Sequence, residues 1–195
     1  MTRTLALPLL LLAARPASAE DVEFIRGLED AQRSRPSQLS STARIAPETE
    51  PGTPLVVHGR AFAADGRTPL GDAIVFAYHT DREGRYDRRD APAHSWRLKG
   101  WAKTGADGRF EFHTIRPAPY PGRNVAAHIH LTLFTADGAR YHAGGVEFED
   151  DPLVGAGERE ETRKDPVFGA VRPVRREGAV EHIDVNLRVA PRQKF

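Results

Sequence analysis

Two histidines separated by one residue could bind a metal. His128 and His130 follow a proline-rich stretch, residues 117–121, after six intervening residues. Because residues i and i+2 of a strand point to the same face, both imidazoles would project together while Ile129 points into the core. Two neutral imidazoles on one face can hold one metal ion. The alternative is a pair of ordinary polar side chains.

Two tyrosines add oxygen donors to this pattern. Tyr120 stands between Pro119 and Pro121, which confine its backbone to extended geometry and present the ring stiffly. Tyr86 follows a turn and is surrounded by charged residues, which is unusual for a core aromatic. A tyrosine titrates at about 10, but a hard trivalent cation would hold it as phenolate at neutral pH. Two phenolates and two imidazoles would suit ferric iron, whereas packing of a loop aromatic on the core is the alternative for Tyr120.

The composition restricts the class of protein. The 195 residues include 28 Lys plus Arg and 27 Asp plus Glu, which gives a formal net charge of +1. This balance disfavours a nucleic-acid binder with a broad basic surface. Cysteine is absent, which excludes a disulfide scaffold, a thiolate nucleophile, an iron–sulfur centre and sulfur-ligated zinc.

Short strands must position these side chains. The 17 glycines and 15 prolines indicate many turns. Alternating patterns predict strands at 55–62, 73–79, 109–115, 127–134, 141–148 and 183–189. Strands at this spacing indicate an all-β sandwich or barrel, with one short N-terminal helix at 21–33 and long loops. Residues 151–180 show little alternation, so we expect a long surface excursion there with its arginines 172, 175 and 176 in solvent.

The N-terminus predicts an export signal. Residues 1–19 combine an early arginine, an apolar run and the small-residue pattern Ala17-Ser18-Ala19. The apolar run of about ten residues is too short for a bilayer, which needs about twenty; a buried helix is the alternative. Residues 20–54 would form a short helix and an extended arm, and residues 55–195 the main domain. We expect export to the periplasm or the extracellular space, without a membrane anchor.

Longer motifs resemble those of the intradiol ring-cleavage dioxygenases, the family of the protocatechuate 3,4-dioxygenases and catechol 1,2-dioxygenases. These motifs are PAPYPGRNVAAHIH at 117–130, GRY at 84–86 and TGADGRFEFHTIRP at 104–117. The resemblance implies a β-sandwich core that holds a mononuclear, non-haem Fe(III). It also implies that the ligands of this iron are Tyr86, Tyr120, His128 and His130.

An activity and its partners follow from the same resemblance. It implies that a catechol-type aromatic diol reacts with O2, and that the ring opens between the two hydroxyl-bearing carbons to give a cis,cis-muconate-type diacid. Tyr120 would leave the metal and accept a proton as the diol binds. Export suggests larger aromatics derived from lignin or polyphenols. No nucleic-acid partner is implied, and the sequence is compatible with a homo-oligomer.

One position departs from the family pattern. Family members carry an arginine three residues before the first histidine, and Val125 stands there in this chain. Arg123 is the nearest cation that could take a catalytic and substrate-binding role by stabilising charge on the substrate; the alternative is a loop cation without a role. Trp96 and Trp101 could line the substrate pocket, because aromatic faces suit a flat ring; for Trp101 the alternative is ordinary packing in the core.

Two other functions stay open at this point. Because the family arginine is missing at position 125, the second hypothesis is an exported, non-catalytic module of the same fold that binds a metal or another ligand. A divalent-metal hydrolase that uses His128 and His130 is a third hypothesis, which two phenol ligands disfavour.

Overall fold

A computed structural model describes residues 19–87 and 95–190, apart from the side chains of residues 19–23 and 143. The elements in chain order are α1 (Ala19–Arg33), β1 (Thr42–Arg44), β2 (Pro54–Phe62), β3 (Ile74–His79), β4 (Lys99–Lys103), β5 (Arg109–Ile115), β6 (His128–Phe134), β7 (Arg140–Phe148), α2 (Ala156–Lys164), β8 (Val171–Arg172), β9 (Arg175–Glu177) and β10 (Val180–Arg188). The predicted export signal lies outside this description except for Ala19, where α1 begins. No helix in the described ranges is long and apolar enough to cross a membrane.

The strands form two five-stranded sheets that pack as a β-sandwich. Sheet one has the strand order β1-β5-β2-β10-β9, and sheet two has the order β4-β3-β6-β7-β8. Buried and more exposed residues alternate along β2, β5 and β10, so each of these strands turns one face toward the core. The predicted all-β sandwich is confirmed.

Alternate residues of both sheets fill the core. Sheet one contributes Phe112 and Ile183, and sheet two contributes Leu131 and Phe148, all fully buried. Burial of such a side chain stabilises the fold by about 1.5–3 kcal/mol relative to exposure. Ile129 is also in this core, with 1% of its surface exposed, so the residues on either side of it in β6 face outward.

A second apolar cluster covers the outer face of sheet two. Phe76 and Tyr78 of β3 form this cluster together with Trp96 and Trp101, and Leu28 of α1 closes it from outside. The helix predicted at 21–33 is therefore present and packs its apolar stripe on aromatic rings. The outer face of this sheet is thus a covered, water-poor surface along most of β3.

Three segments differ from the sequence-based expectations, and one of them is β4, an edge strand of sheet two where no strand was predicted. The predicted arm, residues 20–54, contributes β1, which pairs in parallel with β5 at the edge of sheet one. The predicted excursion, residues 151–180, contains α2, β8 and β9. No residue of α2 is buried, so this helix lacks the apolar stripe that a periodicity analysis detects.

Arg172 corrects the expectation of a solvated arginine cluster. Its surface is only 6% exposed, and its guanidinium donates to the carbonyl oxygens of Asp184 at 2.8 Å, Pro166 at 3.0 Å and Val167 at 2.8 Å. These bonds compensate for taking the charge out of water. The two arginines of β9 are exposed, as expected.

Candidate metal centre

The four predicted metal ligands lie together beside the outer face of sheet two. His128 and His130 project from the start of β6, on the face opposite Ile129. Tyr86 comes from the loop after β3, and Tyr120 comes from the loop after β5. Three separate segments of the chain therefore supply one cluster.

The donor atoms of these side chains converge. The Tyr86 Oη atom lies 2.7 Å from His130 Nε2, and Tyr120 Oη lies 3.0 Å from His128 Nε2 and 3.4 Å from His130 Nε2. The two Nε2 atoms are 3.0 Å apart, and the two phenol oxygens are in direct hydrogen-bond contact. Metal–ligand bonds of about 2 Å place neighbouring donors roughly 3 Å apart. These separations fit four ligands of a single ion.

The phenol oxygens are essential to this centre. Within residues 19–87 and 95–190, no group of three or more His, Cys, Asp or Glu side chains is placed to hold a metal. Two phenols and two imidazoles contain no soft thiolate, and phenolate oxygens offset a high positive charge. The residues present therefore fit the ferric ion that the family resemblance implies.

Burial sets the protonation states in this cluster. Burial, together with the neighbouring His128, lowers the pKa of His130 to about 3. Burial also raises the pKa of Tyr86, and the hydrogen bond with Tyr120 adds to that rise. For Tyr120, burial raises the pKa against the opposing effects of the Tyr86 hydrogen bond and the Arg123 charge. The His130 imidazole is thus neutral and ready to bind, whereas each phenol must lose a proton to a metal.

Backbone contacts dock the two tyrosine loops on each other. The Thr80 hydroxyl donates to the carbonyl oxygen of Ala118 at 2.7 Å, and the Ala118 N–H donates to the carbonyl oxygen of Asp81 at 3.1 Å. Gly84 has a φ of +78°, and a Cβ placed on it would lie 2.0 Å from the Pro119 carbonyl oxygen. Glycine therefore permits both the turn and the close approach that brings the tyrosines together.

Charged side chains hold the turn at residues 81–86, which ends at Tyr86. The Asp81 carboxylate accepts two backbone N–H groups of the turn that follows it. The Arg97 guanidinium donates to both carboxylate oxygens of Glu50 at 2.6 and 2.8 Å, and its backbone N–H donates to the Tyr86 carbonyl oxygen at 3.0 Å. This bidentate, partly buried ion pair ties the tyrosine turn to the chain before β2.

The start of β6 is held by its own set of bonds. His128 donates from Nδ1 to the carbonyl oxygen of Ala126 at 2.7 Å, which leaves Nε2 with a free lone pair facing the cluster. The buried Asp151 carboxylate accepts the Ala127 N–H at 2.9 Å. The Nδ1 atom of His130 is buried and has no hydrogen-bond partner among the described residues.

Arg123 lies close enough to act on the cluster. Its backbone N–H donates to the Tyr120 carbonyl oxygen at 3.2 Å, and Gly122 has a φ of +72°. Residues 120–123 therefore form a turn. Proline and glycine at its two central positions are typical of a type II turn, which returns Arg123 toward Tyr120. Its charge lowers the pKa of the Tyr120 phenol. Val125, which stands at the position of the family arginine, is exposed.

Trp101 packs away from the four ligands. Its ring is 6% exposed and stacks on Phe76 at 4.2 Å between centroids, with Phe134 on another side at 5.8 Å. The tryptophan that connects to the cluster is instead Trp96, through Tyr78. These contacts give Trp101 a packing role in the outer cluster and do not support its assignment to the substrate pocket.

Tyr78 is a neighbour of the cluster that the sequence analysis missed. It is the cross-strand partner of His130 in the pairing of β3 with β6, and the two rings are 4.6 Å apart and nearly parallel, at 11°. The alternation of β3 could have revealed it, because Phe76 and Tyr78 share the face opposite Val75 and Ala77. Only the strand register places that face beside His130.

The fold and the donor set together define a β-sandwich with a candidate mononuclear, non-haem metal centre on its outer face. The family model described as Dioxygenase matches residues 32–178 of this chain. The chain therefore belongs to the intradiol dioxygenase family, as its motifs indicate.

Curated relatives agree with this family. Catechol 1,2-dioxygenase 1 of Acinetobacter lwoffii is 34% identical over 128 residues, which are 56% of this chain and 40% of the relative. The protocatechuate 3,4-dioxygenase beta chain of Burkholderia cepacia is 34% identical over 113 residues, which are 53% of this chain and 48% of the relative. This chain thus spans less than half the length of either relative.

Solved structures share the fold. The dioxygenase domain of a dioxygenase–carbohydrate-binding protein fusion from Streptomyces sp. SirexAA-E superposes with a TM-score of 0.58 at 24% identity, over 79% of this chain and 90% of that one. Catechol 1,2-dioxygenase from Pseudomonas arvilla C-1 gives a TM-score of 0.58 at 17% identity, over 90% of this chain and 71% of that one. At these identities the likeness establishes the sandwich architecture alone.

Replacing Gly84 with alanine should separate the two tyrosines. The new Cβ would meet the Pro119 carbonyl oxygen, and the left-handed backbone disfavours any side chain by roughly 1–2 kcal/mol. We expect a lower melting temperature and an affinity for ferric ion reduced about tenfold or more. Gly138→Ala is the matched control, because Gly138 has a φ of +80° with open space around it. Equal iron affinity in both variants would contradict the docking role of Gly84.

Proposed function

We propose that this chain is an Fe(III)-dependent intradiol dioxygenase that cleaves a catechol-type aromatic ring. The observation that carries the proposal is the convergence of two phenol oxygens and two imidazole nitrogens: four of the distances between them are 2.7–3.4 Å, and the two phenol oxygens are in direct contact. The catechol and protocatechuate dioxygenases among the relatives support the reaction class. The substrate would be an aromatic 1,2-diol, and the product a cis,cis-muconate-type diacid.

The proposed reaction balances without an added reductant. The bond between the two hydroxyl-bearing carbons breaks, and both atoms of one O2 enter the product as the new oxygens of two carboxyl groups. The diol supplies all the electrons that reduce O2. The protein must therefore bind the diol, handle its two acidic protons and limit access of water.

Three of the four proposed ligands would hold the ion, and the fourth would exchange with the diol. Bound iron would supply Lewis acidity and a template for the diol oxygens. Tyr86, His128 and His130 would hold the ion, because Tyr86 Oη and His130 Nε2 lie on the covered side of the cluster next to Tyr78. Tyr120 is the ligand best placed to exchange, since it precedes an exposed loop at residues 121–125.

Tyr120 and Arg123 form the proposed proton-handling pair. Without a metal bond the Tyr120 phenol has a raised pKa, since it is partly buried. A Tyr120 phenolate that leaves the ion would therefore take up a proton from the incoming diol at Oη. Arg123, held beside Tyr120 by the turn, would stabilise negative charge on the substrate oxygens at the same position.

Export remains a proposal that rests on residues 1–19. If the signal is cleaved after Ala19, the mature chain begins at Glu20, the second residue of α1. A location outside the cytoplasm would suit diols released from lignin or polyphenols. N-terminal mass analysis of protein recovered from the periplasm or medium would test the cleavage site.

Spectroscopy of the iron-loaded protein tests the proposed centre. A tyrosinate-to-iron charge-transfer band should appear in the visible range, shift when catechol is added without air, and decay with oxygen uptake in air. His128→Gln and Tyr120→Phe should remove or bleach the band while the sandwich stays folded, because neither side chain belongs to the core between the sheets.

His113→Gln is the matched control, since His113 lies on sheet one and bonds Glu111. It should leave the band unchanged. Full-strength absorption in the His128→Gln variant would exclude this ligand set. A band that shifts with catechol without any oxygen uptake would instead favour the non-catalytic module, and bound zinc without iron would favour the hydrolase.

Arg123→Ala should lower turnover far more than iron content. The loss of a charge next to the substrate oxygens predicts a decrease in kcat on the order of tenfold to a hundredfold, with the iron-to-protein ratio unchanged. Arg123→Lys should recover part of the loss, and Arg82→Ala, an exposed arginine of the Tyr86 loop, should have no effect. Wild-type turnover in Arg123→Ala would reject the assigned role.

Iron uptake should release protons and strengthen as the pH rises. The phenols have raised pKa values and give up their protons only to the metal. The His130 pKa of about 3 means that this imidazole does not compete for protons near neutrality. Titration with ferric nitrilotriacetate between about pH 5 and 8 should show about one proton fewer released by Tyr120→Phe than by the wild type. Equal proton release would place the Tyr120 phenol outside the ligand set.

A further inference from the structure

The two histidines of the cluster are held in different ways. The ring of His128 is fixed by the hydrogen bond from Nδ1 to the Ala126 carbonyl oxygen, which is the usual support of a metal-binding imidazole. The Nδ1 atom of His130 is buried without a hydrogen-bond partner among the described residues. The hydrogen bonds of His130 all lie at Nε2, toward the other donors of the cluster, so no hydrogen bond from the described residues supports the ring at Nδ1.

We infer that Tyr78 is the positioning residue for His130, and that its ring fixes the plane of the imidazole by stacking. The two rings lie 4.6 Å apart at 11°, as direct cross-strand partners. This inference rests on the proposed function, since it concerns how one ligand of the proposed iron is oriented. Tyr78 has no assigned role in the motifs that identify the family.

Tyr78 can act in this way because its own ring is packed on both faces. Trp96 stacks on its other face, 4.1 Å away at 17°, and Phe24 of α1 meets Trp96 edge-on at 5.7 Å. Four rings therefore run from α1 to His130 in continuous contact. A ring held on both faces loses little further freedom when it orients a neighbour.

The backbone at Trp96 supports a positional role for this stack. Trp96 has a φ of +43°, a left-handed conformation that is uncommon for a bulky residue, and its surface is 1% exposed. Such conformations persist where the surrounding structure holds the residue in place, and they cluster at functional sites. Here the conformation places the indole directly behind Tyr78.

Tyr78 also contacts the second covered ligand. Its ring centroid is 5.7 Å from that of Tyr86. Tyr78 is only 4% exposed, so the stack excludes water from the side of the cluster that it covers. One side chain thus restrains His130 and borders Tyr86.

Removal of iron by a chelator tests this inference. Tyr78→Leu keeps an apolar side chain but removes the flat ring, and we expect the iron-loaded variant to lose its visible band about tenfold or more faster than the wild type. Tyr78→Phe keeps the ring and should stay within about twofold of the wild type. Phe76→Leu is the matched control, because Phe76 lies on the same strand and face and contacts Trp101, Tyr78 and Trp96, whereas the β3 ring stacked on His130 is that of Tyr78.

The controls separate positioning from general stability. Phe76→Leu should lower the melting temperature about as much as Tyr78→Leu and leave iron release near the wild-type rate. Equal acceleration in both leucine variants, or unchanged release in Tyr78→Leu, would overturn the inference.

A second measurement needs no iron. In NMR spectra of the metal-free protein, His130 ring protons should show nuclear Overhauser contacts to Tyr78, and the His130 ring signals should move in Tyr78→Leu far more than in Phe76→Leu. Absence of these contacts in the wild type would overturn the inference. A wild-type protein that shows the contacts but takes up no iron would overturn the proposed function and leave the stacking established.

Discussion

The alternation of side chains along β6 is the constraint on which the candidate centre depends. Ile129 and Leu131 point into the core between the sheets, each almost fully buried, so His128 and His130 must point outward. A slip of one residue would exchange the two sets and bury two imidazoles in place of two aliphatic side chains. The apolar core therefore fixes the register, and the register fixes the two nitrogen donors without any contribution from a metal.

Burial has opposite consequences for one imidazole and two phenols of the proposed centre. It lowers the pKa of His130, which prepares this imidazole as a ligand, and it raises the pKa values of Tyr86 and Tyr120, which opposes ionisation of their phenols. Only a strongly charged cation offsets the free energy needed to ionise two partly buried phenols. In the proposed centre, the difficulty of ionising the phenols, as well as their number, would therefore favour a trivalent ion.

Alternating strands and the histidine pair could be predicted from the sequence because both depend on local periodicity. The segments that could not be predicted lack such a pattern: α2 buries no residue, and β1 has three residues that pair with a distant strand. The place of Trp101 could not be decided from the sequence for a related reason. Its aromatic character fits either a pocket wall or the core, and the pairing of β4 with β3 is what places its ring on Phe76.

The four proposed ligands differ in how firmly their surroundings hold them. His128 is held by a hydrogen bond and His130 by a ring stack, and the turn that carries Tyr86 is tied down by Arg97. Tyr120 is restrained mainly through its own backbone and a turn that continues into exposed residues. In the proposed reaction, a diol that must replace one protein ligand would meet least resistance there, because each of the other three has a support of its own. The arrangement of supports, more than the identity of the donors, would then determine which ligand gives way to substrate.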